Sequence, residues 1–149
     1  MIKSYINRAQ NLLLKKLSYI RSVPSEGKVL YLTFDDGPED GITEFVLSEL
    51  NKYGYKGTFF CRGDNAANNK SLLLKIQENG HSIGNHTYHH IDAYDNAASI
   101  FAEDVEKANL VLNSPLFRPP HGSLNFAAWI KVRKKYKIIY WSLNSADSD

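Results

Sequence analysis

Cysteine is almost absent from this 149-residue chain: Cys61 stands alone, which excludes an internal disulfide and any metal site built from several thiolates. It closes an apolar run, so the expectation is a buried structural thiol. Long hydrophobic runs are also missing. No stretch approaches the roughly 18 apolar residues of a membrane-crossing helix, so no membrane span is expected. There is no repeat at a 20 to 50 residue period and no low-complexity tract, which excludes solenoids and biased linkers. A large excess of one charge is lacking too. Eighteen Lys and Arg stand against sixteen Asp and Glu, and no nucleic-acid partner is expected. The length suits one domain.

The modest net charge of +2 is unevenly spread. Met1 to Lys28 holds six basic residues and one acid, a net of +5, which leaves −3 for the remainder. In that first segment Ile6, Ala9, Leu13, Leu17 and Ile20 fall at helical spacing among Lys3, Arg8, Lys15, Lys16 and Arg21. The pattern is an amphipathic helix docked on the adjoining domain, with membrane-surface attachment as the alternative. Leu12 to Leu14 run straight into Lys15 and Lys16, unlike the apolar core of a secretory signal, so the localisation defaults to the cytoplasm. Residues 1–27 therefore read as a helix and linker, and 28–149 as the folded unit.

Within that unit strand-like and helix-like segments alternate. Lys28 to Phe34 is rich in β-branched and aromatic residues and predicts a strand that runs into Asp35, Asp36, Gly37 and Pro38. Ile42 to Tyr53 has helical periodicity and is stopped by Gly54. A strand is expected over Gly57 to Cys61, a helix over Ser71 to Asn79 stopped by Gly80, and a short strand over His81 to Asn85. A helix over Ala98 to Leu112, an extended run from Leu116 to Arg118, a helix over Asn125 to Tyr136 and a strand from Lys137 to Trp141 complete the series. Five strands alternating with helices imply a mainly parallel sheet, either open or curled into a barrel. In both cases chemistry gathers at the carboxyl ends of the strands. Asp35 and Asp36, Asn85 and His86, and Arg118 to Gly122 all lie at such ends.

Adjacent carboxylates on an extended backbone point opposite ways, so one of Asp35 and Asp36 can bind a metal while the other faces the reacting group. Between His81 and His90 the chain places four of its five histidines. His86 and His90, four apart, can meet one ion from a helical turn or a tight loop. Two histidines with a strand-end carboxylate leave coordination positions open for water and substrate, as catalytic zinc sites do. Cobalt, nickel or iron suits such donors as well. His81 and His89 are expected to be structural or to support the ligands.

Three motifs in order, Thr33 to Pro38 (TFDDGP), His86 to His90 (HTYHH) and Arg118 to Gly122 (RPPHG), resemble those of the polysaccharide deacetylase family, the carbohydrate esterases with a NodB homology domain. The resemblance runs from about Val29 to the end of the chain. It implies a distorted βα barrel with the site at its rim. It also implies that Asp36, His86 and His90 hold a divalent metal, usually zinc, and that Asp35 is the general base. The expected substrate is an acetylated, GlcNAc-containing glycan, with Pro120, His121 and Gly122 against it. A metal-activated water would attack the acetyl carbonyl, Asp35 would take its proton, and the backbone N–H of His121 would support the oxyanion. Arg118 would orient Asp35.

The chain departs from the family pattern in three places. Asn144 stands where many members have Asp, Ser148 where many have Trp, and His121 where tyrosine is common. The family's late-strand histidine, the acid that protonates the leaving nitrogen, has no counterpart before Asp149. The His121 imidazole is the candidate substitute. These departures lead to the expectation of a fragment whose barrel stops after about five strands, completed by another chain or by self-association through the open sheet edge. Two other readings are a pseudoenzyme that binds metal and glycan without turnover, and an aspartyl phosphotransferase. The latter expects its carboxylates one residue apart and leaves the histidines unexplained.

Overall fold

The structure, a computed structural model, describes residues 19–145. The helical stripe expected at Ile6, Ala9, Leu13 and Leu17, and Ser148 of the atypical region, lie outside these residues. Five strands, β1 (Leu32–Asp35), β2 (Gly57–Cys61), β3 (Ser82–Asn85), β4 (Leu116–Phe117) and β5 (Lys137–Ile138), form one sheet in sequential order, every neighbouring pair parallel. Because the order never reverses, right-handed crossovers place every helix on the same face, which is the winding of a barrel rather than of a doubly wound sheet. The parallel α/β barrel-type fold expected from the sequence is the fold observed.

The helices are α1 (Ile42–Lys52), α2 (Gly63–Asn68), α3 (Lys70–Glu78), α4 (Ala98–Leu112) and α5 (Phe126–Val132), with a 3-10 turn at Pro120–Gly122. Strand alternation sorts the side chains between the two faces. Phe59 and Cys61 join Leu47 and Leu50 of α1, Leu73 and Ile76 of α3, and Ala108 and Leu112 of α4 in one core cluster, with Leu32, Phe34 and Ile83 packed on it. Phe117 and Ile138 enter a second cluster with Phe101, Val105, Ala128 and Trp129. Thr33, Asp35, Phe60 and Gly84 take the opposite parity and face the concave side. There the Phe60 ring lies where a Gly84 side chain would stand, 2.2 Å from a built Cβ.

Several boundaries differ from the sequence expectation. β1 begins only at Leu32, where its pairing with Gly57 begins, and the upstream Val29, Leu30 and Tyr31 are exposed without a ladder partner. Ile20, assigned to the amphipathic helix, is instead extended: it bridges Ile139 in parallel, its N–H donating to Ile138 O and its carbonyl accepting from Tyr140 N–H. The unpaired backbone along β5 provides that partner. The last helix ends at Val132 rather than Tyr136, starting from Asn125, whose side chain accepts from Ala128 N–H.

Candidate metal centre

β1 delivers its two carboxylates by breaking its own alternation. Asp35 is its last residue, and Asp36 turns left-handed at φ 70°, with Gly37 N–H donating to Asp35 O across it. Asp tolerates this conformation better than most residues. Both side chains thereby reach one rim, Asp35 toward Arg118 and Asp36 toward the histidines.

His86 follows β3, is buried, and receives structural support at both ends. Its N–H donates to Cys61 O, and its Nδ1 lies 2.7 Å from the carbonyl of Arg118. A carbonyl only accepts, so Nδ1 carries the proton and Nε2 presents a lone pair. That Nε2 stands 3.7 Å from Asp36 Oδ1, and His90 Nε2 stands 3.1 Å from the same oxygen. One donor atom from each of Asp36, His86 and His90 lies within 4.8 Å of the others. Donors on a tetrahedral ion with bonds of ~2.1 Å are roughly 3.4 Å apart, so the set needs only small movements to close on zinc. Burial pushes the pKa of His86 down, against the pull of Asp35 and Asp36, and burial lowers that of His90 as well. Both rings are thus favoured in the neutral form that binds metal. The donor set fits the implied ion.

Arg118, only 3% exposed, spans the concave side. Nη1 donates to Asp35 Oδ1 at 2.7 Å and to Thr33 Oγ1 at 2.9 Å, Nη2 to Tyr140 O at 3.3 Å, and Nε to Ile139 O at 3.4 Å. Its guanidinium lies 4.1 Å from the Phe60 ring centroid. One side chain from the end of β4 therefore touches both β1 and the segment after β5, which shows how far the sheet has curled. Pro120 is buried, His121 is exposed and left-handed at φ 57°, and its ring centroid lies 4.6 Å from that of His90. Gly122, at φ 62°, leaves space that Trp141 fills, 2.7 Å from a built Cβ. The eight residues singled out in the sequence thus border one rim.

Residues 22–140 match the family model described as polysaccharide deacetylase. This chain belongs to the polysaccharide deacetylase family. It is 33% identical over 141 residues to a peptidoglycan-N-acetylglucosamine deacetylase of Bacillus cereus, covering 89% of this chain and 51% of that protein. It is 30% identical over 147 residues to the peptidoglycan-N-acetylmuramic acid deacetylase PdaA of Bacillus subtilis, covering 92% and 55%. The solved Bc1960 peptidoglycan N-acetylglucosamine deacetylase superposes with a TM-score of 0.83 at 29% identity, over 90% of this chain and 66% of that one. The chain therefore spans about half the length of these two curated relatives.

Sequence reasoning missed the segment Arg62–Asn65, which joins the family's first two motifs. Arg62 N–H donates to Gly37 O, Gly63 and Asp64 N–H to Thr87 O and Tyr88 O, and Asn65 Nδ2 to Asp36 O. Arg62 also forms a two-point pair with Asp64. Gly63 is required by crowding, since a Cβ there meets Tyr88 at 2.5 Å and the Ala108 backbone at 2.9 Å. The sequence signal was only a glycine after an apolar strand. His81 and His89 do lie apart from the triad: His81 Nδ1 accepts from Gly57 N–H, and His89 Nδ1 is bound to Asp104.

Proposed function

We propose that this chain is a metal-dependent deacetylase acting on the N-acetyl groups of a GlcNAc-containing glycan of the peptidoglycan type. The observation that carries the reading is the convergence of Asp36, His86 and His90 beside an Arg118-held Asp35 on one rim. A divalent cation bound by the triad, zinc by preference, supplies polarisation of an acyl carbonyl and a water of lowered pKa. Asp35, fixed by Arg118 and aimed across the concave face, accepts a proton from the attacking water as the new C–O bond forms. Expulsion of the sugar amine breaks the C–N bond and needs a proton on nitrogen. His121, on the same rim beside His90, is the imidazole placed to give it. Pro120 and Gly122 flank it in the chain and, in this reading, border the sugar. The names of the relatives support the glycan class, and the chemistry of the donor set supports the metal.

The test is a zinc titration of the metal-free chain, followed by acetate release from N-acetylglucosamine oligomers and from peptidoglycan. Stoichiometric zinc binding with zinc-dependent release is the expected outcome. Zinc binding without release from either substrate would leave a glycan-binding pseudoenzyme, and failure of His86→Ala to lose zinc would remove the proposed centre altogether.

A further inference from the structure

The two histidines of the triad are separated by Thr87, Tyr88 and His89, and this short turn is conformationally costly. Thr87 and His90 both sit left-handed, at φ 64° and 58°. Such a backbone is strained for a residue other than glycine and persists only where its surroundings over-determine it. Thr87 is also fully buried, and its hydroxyl has no hydrogen-bond partner among the described residues. The turn is therefore held from outside.

Two consecutive residues of α4 hold it. Asp104 is 7% exposed, and its Oδ2 accepts from Tyr88 N–H at 2.8 Å and from His89 N–H at 2.9 Å, while its Oδ1 accepts from His89 Nδ1–H. Next to it, Val105 O accepts from Asn85 Nδ2 at 2.9 Å, and Asn85 Oδ1 accepts from Thr87 N–H. Lys107, one turn further on, reaches His89 Nε2 at 3.3 Å and covers the Tyr88 ring. No Lys or Arg pairs with Asp104 among the described residues. Among the described residues the turn supplies all three hydrogen bonds to its carboxylate, so carboxylate and turn depend on each other.

We propose that Asp104 is a positioning residue for the metal centre: by binding the turn between His86 and His90 it aims both Nε2 atoms at Asp36 and thereby sets the affinity for the divalent ion. The proposal rests on the reading of the triad as a metal site. Partners that orient metal ligands from outside the coordination shell are worth about 10- to 100-fold in metal affinity. Asp104 acts at one remove further, through the backbone that carries the ligands.

The test is zinc affinity by chelator competition, with thermal unfolding of the metal-free protein measured alongside. Asp104→Ala is expected to weaken zinc binding about 10- to 100-fold. Asp104→Asn, whose carbonyl still accepts from both N–H groups, is expected to restore most of it. Glu106→Ala, on the same helix as Asp104, removes an exposed pair with Lys135 and a hydrogen bond from Tyr136 Oη on the side away from the turn, and should leave the affinity unchanged. Equal zinc affinity in wild type and Asp104→Ala overturns the proposal, as does an equal loss in Glu106→Ala. If wild type itself binds no zinc, it is the metal reading that fails. Should Asp104→Ala not fold, His89→Ala carries the test: severalfold weaker zinc binding supports the clamp, and unchanged binding overturns it.

Discussion

The guanidinium of Arg118 meets a carboxylate, a hydroxyl and two carbonyls, and the cost of replacing it depends on what is left behind. Lysine offers the same charge but no planar fork, so it cannot serve Asp35 and Tyr140 together. Arg118→Ala leaves Asp35 unpaired beside an emptied space and is expected to cost about 3 kcal/mol of unfolding free energy, read from urea denaturation. Arg118→Lys should recover less than half of that; full recovery would mean that charge alone matters. Asp35→Asn separates stability from chemistry, because the amide oxygen still accepts from Arg118 while the side chain can no longer take a proton. Its expected signature is a kcat lower by about 10²- to 10⁴-fold with zinc affinity unchanged, and a parallel loss of zinc would show that Asp35 is a ligand instead.

Among the elements, the third motif is constrained by crowding and by backbone conformation at the same residue. Gly122→Ala would add a methyl group against Trp141 at a left-handed position, and the expected cost is about 1–3 kcal/mol, together with a change in Trp141 fluorescence. An unchanged denaturation midpoint would show that the ring has room to move. β2 and α4 have the bounds read from the sequence, and α1 and α3 agree within a residue, because each carries its own residue pattern and α1 and α3 are stopped by Gly54 and Gly80. α2 was not legible. Gly63–Asn68 has no apolar period, and its first turn is fixed by Thr87 and Tyr88, residues more than twenty positions away. The site divides in the same way. Asp36, His86 and His90 stand out as a local pattern, whereas Asp104 is an ordinary helix acid until the fold brings it under the turn.

At the scale of the molecule, the burial that assembles the rim also makes the fold sensitive to acid. His81, His86 and His90 all have pKa values lowered below the ordinary imidazole value, first of all by burial. His81 Nδ1 accepts from Gly57 N–H at the base of β2, a bond that a proton on that nitrogen would break. In the unfolded chain these imidazoles bind protons as pH falls through about 6.5, while the folded chain keeps them neutral. The unfolded state then holds more protons, so stability is fully present above that value and is lost as pH falls toward the lowered native values. The metal-free chain should therefore show a urea midpoint that is level from pH 8 to 7 and declines through pH 6 to 5.5. Zinc at 100 times its dissociation constant should add about 2.7 kcal/mol at pH 7. The same total zinc should add progressively less below pH 6.5, because His86 and His90 must be free of protons to bind it. Denaturation with EDTA and with zinc across this range checks both effects. A level midpoint in EDTA from pH 8 to 5.5 would show that the histidines are not held neutral by the fold. A zinc increment independent of pH would place the ion somewhere other than on His86 and His90.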